Sequence, residues 1–244
     1  MIVLFTDFSE KDPYVGQVHA VLAQKAPGVP IIDLFHNVPD FDIRAAAYLL
    51  PAYTQGFPVG TVFVCVVDPG VGGYRNPVIV EVNGQWYVGP DNGLFQVLCQ
   101  RAVRHQVFRI DWRPDELTDS FHGRDLFAPV AAKLATGQAL AKSKTRLCQI
   151  DSSEFPDDLN EVIYIDHYGN AVTGIRASRL NENSVVNIND TQLGYARVFS
   201  SAKTGQAFWH HNSSGLVEIA VNCGHAASVL GLSTGSKLAI LNAN

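Results

Sequence analysis

Three carboxylates end three apolar, β-branched runs: Asp7 after Ile2–Phe5, Asp68 after Val62–Val67, and Asp166 after Val162–Ile165. In an open α/β sheet, ligands bind beyond the carboxyl ends of the strands, where loops and helix N-termini converge. Carboxylates at such ends suit a polyhydroxylated or cationic ligand. Taken singly, each would serve equally well as a turn or helix cap. The neighbours shift that balance. Asp68 opens Asp68-Pro69-Gly70-Val71-Gly72-Gly73-Tyr74-Arg75, where three glycines let the backbone fold sharply or approach a ligand closely. Arg75 falls where a dinucleotide fingerprint needs its third glycine, and no Gly-Lys-Ser/Thr follows as in a P-loop. The expectation is a bent loop that presents an Asp68–Arg75 charge pair.

Phe121-His122-Gly123-Arg124-Asp125 is a second dense cluster. His122 precedes a predicted helix, and Asp125 suits that helix's first turn and dipole. No Gly-x-Ser-x-Gly elbow occurs, which disfavours a Ser-His-Asp hydrolase. Asp68, His122 and His167 are conceivable metal ligands. No histidine pair has HExxH spacing, however, and His210 and His211 are adjacent, so no metal is expected. Asp166-His167-Tyr168-Gly169-Asn170 and Asn212-Ser213-Ser214-Gly215 have the make-up of tight turns between strands. Asn170 carries both a donor and an acceptor, as reading a nucleobase edge requires.

Two kinds of element must position these residues. In the first half, strands at Ile2–Phe5, Ile31–Phe35 and Val62–Val67 alternate with helices near Tyr14–Lys25 and Ile43–Tyr53. Asp12 is placed to cap the first helix, with Pro13 at its first position and Val15, Val18 and Leu22 on one face. Val78–Val82 and Gln85–Val88 flank Asn83-Gly84, a hairpin signal. A helix near Phe95–Ala102, a strand Val107–Ile110 and a helix near Arg124–Thr136 complete an α/β domain over 1–150 with a largely parallel sheet. Beyond the polar stretch Lys142–Asp158, short strands dominate: Val162–Ile165, Ala171–Ile175, Val185–Ile188, Ala196–Phe199, Leu216–Ala220 and Lys237–Leu241. Without a convincing helix among them, they predict a smaller antiparallel β-barrel domain over 158–244.

Composition excludes some partners. Of 244 residues, 47% are apolar and 17% charged, enough to bury a core. Eighteen Lys and Arg against 23 Asp and Glu give a net charge of −5 with no basic block, which argues against nucleic acid or an anionic membrane as partner. No apolar run is long enough to span a bilayer, and acidic Asp7 and Glu10 precede the first basic residue, so no secretory leader is expected. Cys65, Cys99, Cys148 and Cys223 form no CxxC pair and read as reduced thiols in a cytoplasmic protein.

Taken together, seven motifs resemble the S-adenosyl-L-methionine (SAM) hydroxide adenosyltransferase family, the adenosine-forming SAM hydrolases related to the fluorinating and chlorinating SAM-cleaving enzymes. They are Thr6-Asp7-Phe8, Tyr14-Val15-Gly16, Val67-Asp68-Pro69-Gly70-Val71-Gly72, Gly89-Pro90-Asp91-Asn92-Gly93, the Phe121–Asp125 cluster, Asp166 through Asn170, and Asn212-Ser213-Ser214-Gly215. Each is weak alone, and seven in this order are specific. The resemblance spans nearly the whole chain and implies an N-terminal α/β domain joined to a C-terminal β-barrel. It also implies a homotrimer with SAM held between the N-terminal domain of one subunit and the C-terminal domain of a neighbour, and no cofactor.

By the same resemblance, Asp7 would hold the ribose hydroxyls, with Phe41 beside the ribose where halogenating relatives carry tryptophan. Asp12, Asp166 and Ser213 would hold the methionine amino and carboxylate groups. Asn170 and the backbone near Cys223 would read the adenine, and Phe121 joins this substrate-binding set. Asp68, Arg75 and His122 would surround the attacking water. The halogenating relatives lack that set and carry a halide-binding serine where this chain has Gly123. The implied activity is hydrolysis of SAM to adenosine and L-methionine. A halide-using SAM cleaver and a non-catalytic SAM or adenosine sensor are the alternatives, and which of Asp68 and His122 accepts the proton stays open.

Overall fold

A computed structural model describes residues 1–151 and 153–241. Ser152, and residues 242–244 at the end of the expected second domain, lie outside the described residues. The chain divides into two compact units, one of Met1–Leu50 with Gly56–Asp151 and one of Pro51–Gln55 with Ser152–Asn244.

The first unit runs β1 (Ile2–Thr6), α1 (Tyr14–Lys25), β2 (Ile31–Phe35), α2 (Ile43–Thr54), β3 (Val62–Val66), β4 (Pro77–Val82), β5 (Gln85–Pro90), α3 (Gln96–Arg101) and β6 (His105–Ile110). A π-helical turn, Gly123–Phe127, leads into α4 (Ala128–Ala135), and β7 (Lys142–Thr145) closes the unit. The last turn of α2, from Pro51, belongs to the second unit. One seven-stranded sheet has the order β2-β1-β3-β5-β4-β6-β7. Its first four strands are parallel, and β4, β6 and β7 extend it antiparallel.

Every residue of β1 and β3 is buried, as their unbroken apolar runs require of strands covered on both faces. Val18 and Leu22 of α1 pack with Phe127, Ala128, Val130, Ala131 and Ala132 against Ile2, Leu4, Val62 and Val64. The in-register pairing of β1 with β3, ending at Thr6 opposite Val66, decides where the chemistry sits. It delivers Asp7 and Asp68 at the same edge, and Asp7 N–H donates to Val66 O at 3.3 Å. Asn83 and Gly84 form the hairpin turn with φ of 50° and 81°, the left-handed pair that such a two-residue turn demands.

The second unit contains β8 (Leu159–Ile165), β9 (Ala171–Arg176), β10 (Val185–Ile188), β11 (Thr191–Leu193), β12 (Ala207–His211), β13 (Leu216–Val221), α5 (Ala226–Leu230) and β14 (Leu238–Leu241). Its sheets, β12-β13-β9-β8 and β11-β10-β14, are antiparallel throughout. Single bridges, Glu161 to Lys237 and Tyr195 to Trp209, link strands of one sheet to chain of the other. Buried Val162, Ile175, Val186, Trp209 and Ile219 share one core.

Several expected details differ. Ala196–Phe199 is not a strand: Phe199–Ser201 closes a 3-10 turn, where Ser200 and Ser201 suit a bend. The strand lies at β12 instead. Asp12 does not cap α1, because Pro13 occupies the cap position and no side chain bonds to it. α5 also went unanticipated, since its cap is His225, whose Nδ1 accepts from Ser228 N–H at 3.1 Å. Among the described residues, no helix is long and apolar enough to cross a membrane.

Candidate active site

In the first unit a cleft of about 670 Å³ opens beyond the β1 and β3 ends, with Asp7, Asp12, Phe41, Asp68, Phe121 and His122 all on its wall. That volume is in the range of small-molecule sites. Asp7 Oδ2 accepts the Phe41 N–H at 3.3 Å. Burial raises the Asp7 pKa, only partly offset by that N–H, with the nearby charges of Asp40 and Asp68 adding to the rise. Phe41 is 73% exposed and sits at φ 61°, and Ser9 on the same wall has φ 60°. Left-handed backbone at a bulky aromatic is costly and collects at functional sites. Among the described residues, the other non-glycine positions of this kind are Asn83, Asn189 and Asp190, types that tolerate it, and Cys223, which lines the second cleft.

The Asp68 loop is pinned at both ends. Asn92 Nδ2 donates to Val67 O at 2.9 Å, fixing the peptide that leads into Asp68. Arg75 Nε then donates to both carboxylate oxygens, at 3.1 and 2.9 Å, and Arg75 Nη2 donates to Oδ2 as well. Both side chains are nearly buried, with Asp68 4% and Arg75 9% exposed. The same Nη2 lies 2.8 Å from His122 Nδ1. A guanidinium can only donate, so Nδ1 must accept, and the imidazole proton is on Nε2. Burial lowers the His122 pKa, and the Arg75 charge lowers it further. His122 is therefore a neutral ring that offers an N–H. Arg75 is absent from the cleft wall and acts through the two residues it holds.

Phe8, Tyr14 and Phe121 form the aromatic side of the cleft, with ring centroids 5.5–6.1 Å apart. Arg124 lies 4.9 Å over the Phe121 ring and donates to Asp125 and to Gln17. Gly123 admits Phe8: a Cβ there would come within 2.9 Å of the Phe8 ring tip.

In the second unit a separate cleft of about 840 Å³ holds Asp166, Asn170, Ser213 and Cys223. Asp166 is occupied in shaping its own turn: Oδ1 accepts from Tyr168 N–H and Asn170 N–H, and Oδ2 accepts from Asn170 Nδ2. That uses one of the two amide N–H groups of Asn170, which is 6% exposed. Glu218 went unnoticed in the sequence. It accepts from Asn212 Nδ2 at 3.0 Å and lies 3.2 Å from His210 Nε2, while Asn212 Oδ1 receives Ser214 and Leu216 N–H. Glu218 thus braces the turn that carries Ser213. His167 lies in the second unit and packs against Tyr168, whereas Asp68 and His122 lie in the first. Among the described residues, no three His, Cys, Asp or Glu side chains are grouped to hold a metal ion.

Paired carboxylates at parallel strand ends, one of them held by an arginine that also orients a histidine, mark an α/β enzyme acting on a small molecule. The chain belongs to the SAM hydroxide adenosyltransferase family: residues 2–144 match its N-terminal domain and residues 160–239 its C-terminal domain. A protein named (R)-S-adenosyl-L-methionine hydrolase from Thermus thermophilus is 36% identical over 98% of this chain and 99% of its own. Another of that name, from Salinispora arenicola, is 35% identical over 96% and 95%. A fluorinase from Nocardia brasiliensis is more distant, at 24% identity over 75% and 73%. An uncharacterized conserved protein from Thermotoga maritima has the same fold, with a TM-score of 0.86 and 31% identity over 99% of this chain and all of its own.

Proposed function

We propose that this chain hydrolyses S-adenosyl-L-methionine to adenosine and L-methionine, and that, as in the names of its relatives, the (R) sulfonium epimer is a substrate. The observation that carries this reading is Asp68 and His122 on the wall of the first cleft, tied together by Arg75. SAM is a sulfonium, so displacement at ribose C5′ releases a neutral thioether that needs no general acid. The difficulty is the nucleophile, because bulk water has a pKa of about 15.7.

Asp68 accepts a proton from water as the O–C5′ bond forms and the C5′–S bond breaks, the bond pair passing to sulfur. A positioned carboxylate contributes roughly 10²–10⁴-fold in such a step. Arg75 balances the Asp68 charge and fixes its orientation. His122, with its lone pair taken by Arg75, serves the water as a hydrogen-bond donor from Nε2 and not as the base. That assigns the proton acceptor to Asp68. Holding water in line with C5′ and sulfur supplies much of the remaining acceleration.

Asp7 holds the ribose diol, Phe41 and Phe121 flank it, and Asp12 takes part in holding the methionine end. Asp166, Ser213, Asn170 and the Cys223 backbone serve from the second cleft. By the family resemblance, the two clefts come from neighbouring copies in a homotrimer, and the site needs no cofactor. Free thiols at all four cysteines support a cytoplasmic setting; burial drives the Cys65 thiol well up and pushes Cys99 up to about 12.

Purified protein given each SAM epimer in turn, with and without chloride, tests the reading by product analysis. Adenosine and methionine from the (R) form support it. A 5′-halo-5′-deoxyadenosine, or binding without product, contradicts it. Light scattering should give a mass near three times 26.6 kDa.

A further inference from the structure

The segment Thr6–Ser9 leaves β1 and supplies Asp7, Phe8 and Ser9 to the first cleft. The groups that fix this segment lie outside the cleft. Thr6 and His36 are each 2% exposed, and the pairing of β1 with β2 brings them side by side, Thr6 Oγ1 lying 2.7 Å from His36 Nδ1. The second ring nitrogen, His36 Nε2, is 2.9 Å from Asp33 Oδ1. His19 Nε2, from α1, is 2.7 Å from the same oxygen.

Donor and acceptor counting gives this chain a direction. A carboxylate can only accept, so the His36 proton is on Nε2. Burial works against the Asp33 charge, yet the bonds from His19 and His36 prevail and hold its pKa below the ordinary value. His36 Nδ1 is then the acceptor within reach of the buried Thr6 hydroxyl proton. The Thr6 oxygen in turn accepts the Phe8 N–H at 3.2 Å. The His36 carbonyl receives Ser9 N–H at 2.8 Å, and Val38 N–H donates to Thr6 O at 3.3 Å. His36 thus grips the Asp7 segment with ring and backbone together.

An acid, a histidine and a hydroxyl in series have the arrangement of a nucleophilic triad. Here the hydroxyl is buried and off the cleft wall, so it cannot meet a substrate. We propose that Asp33, His36 and Thr6 form a one-directional hydrogen-bond relay that positions Asp7 and Phe8 for the ligand, a role that rests on the hydrolase reading of the same cleft. Thr6 and His36 are positioning residues, and Asp33 fixes the tautomer that makes the relay run outward from Phe8.

Thr6→Val keeps the side-chain shape and removes the hydroxyl. It should raise both the KM for SAM and the Kd for adenosine roughly 3- to 10-fold, the scale of one lost buried hydrogen bond. Thr6→Ser should restore both constants. A Thr6→Val protein with lower thermal stability and unchanged constants assigns Thr6 to folding alone and overturns the proposal. Long-range proton–nitrogen spectra of the His36 ring, recorded without substrate, should show Nε2–H and an unprotonated Nδ1. An Nδ1–H ring or an imidazolium overturns the relay's direction. Asp33→Ala, at a half-exposed position, should mix the tautomers and weaken adenosine binding by a smaller factor; an unchanged ring and unchanged affinity count against it. The spectrum needs no substrate and adenosine affinity needs no turnover. A wild type that fails to cleave SAM therefore sinks the hydrolase reading and leaves the relay standing on its own test.

Discussion

Arg75 Nη2 lies 2.8 Å from His122 Nδ1, and that contact fixes which histidine nitrogen carries the proton. The His122 pKa is lowered from the ordinary 6.5, first by burial and then by Arg75. A depressed histidine is neutral throughout neutral pH and gains its proton only below its usual range. Protonation at Nδ1 would break the Arg75 contact. The kcat/KM profile should therefore be flat through neutral pH on the acid side and decline only below about 6.5. Any stability linked to His122 follows the same sign, present above the ordinary histidine value and lost as pH falls through the depressed one. A profile that rises as pH drops through 6.5 contradicts a neutral donor.

Asp68→Asn keeps the shape of the side chain and removes the proton acceptor. It should lower kcat roughly 10²–10⁴-fold while adenosine affinity stays close to that of wild type. Single-turnover rates together with adenosine titration check both halves. Weaker binding at undiminished kcat would make Asp68 a ligand contact and not the base.

Asp7 is expected to oppose folding while it serves binding. Its pKa is raised by burial, so the folded state favours the protonated form. The sign is that of a raised group: its contribution is fully present below the unfolded value and is lost as pH rises through the folded one. At pH 7 the charge is thus a net burden on the empty protein. Asp7→Asn should raise Tm at pH 7, with the gain fading in acid, and should weaken adenosine binding. Scanning calorimetry at two pH values distinguishes this from a simple loss of structure.

Gly123→Ser introduces the residue type that the family resemblance implies for halogenating relatives, yet its Cβ would meet the Phe8 ring. Displacing Phe8 should lower kcat/KM about tenfold or more and yield no halogenated product with chloride, since small misplacements near a reacting centre are costly. Phe8→Leu in the same protein should recover part of the loss. A Gly123→Ser protein as active as wild type would mean that Phe8 does not shape the site.

How much of this was legible in the sequence depends on how far apart the partners lie. Asp68 and Arg75 are seven residues apart on a glycine-bent loop, and their pairing was readable. Asn83-Gly84 fixed its hairpin because few other residue types accept two left-handed positions in succession. The Thr6–His36 bond was not readable, because it exists only once β1 and β2 pair in parallel. Glu218 meets His210 across the β12–β13 ladder, and β12 itself was hidden because its sequence, Ala-Phe-Trp-His-His, lacks clean alternation. β7 was hidden for a different reason: Lys-Ser-Lys-Thr is polar, as suits a sheet edge that must resist further pairing.

The tautomer of His122 and the commitment of Asn170 Nδ2 to Asp166 belong to a further class. No residue type announces them, since they follow from which partner reaches which atom. They nevertheless bear on the proposed chemistry, in which Asp68 takes the proton because the His122 lone pair is engaged by Arg75.

The central claim, that water and not halide or an enzyme group attacks C5′, is tested most directly with SAM in ¹⁸O-water. One ¹⁸O atom in the 5′-hydroxyl of adenosine, with methionine released unlabelled, is the result the account predicts. Adenosine that carries no label, or a product without a 5′-hydroxyl, contradicts it.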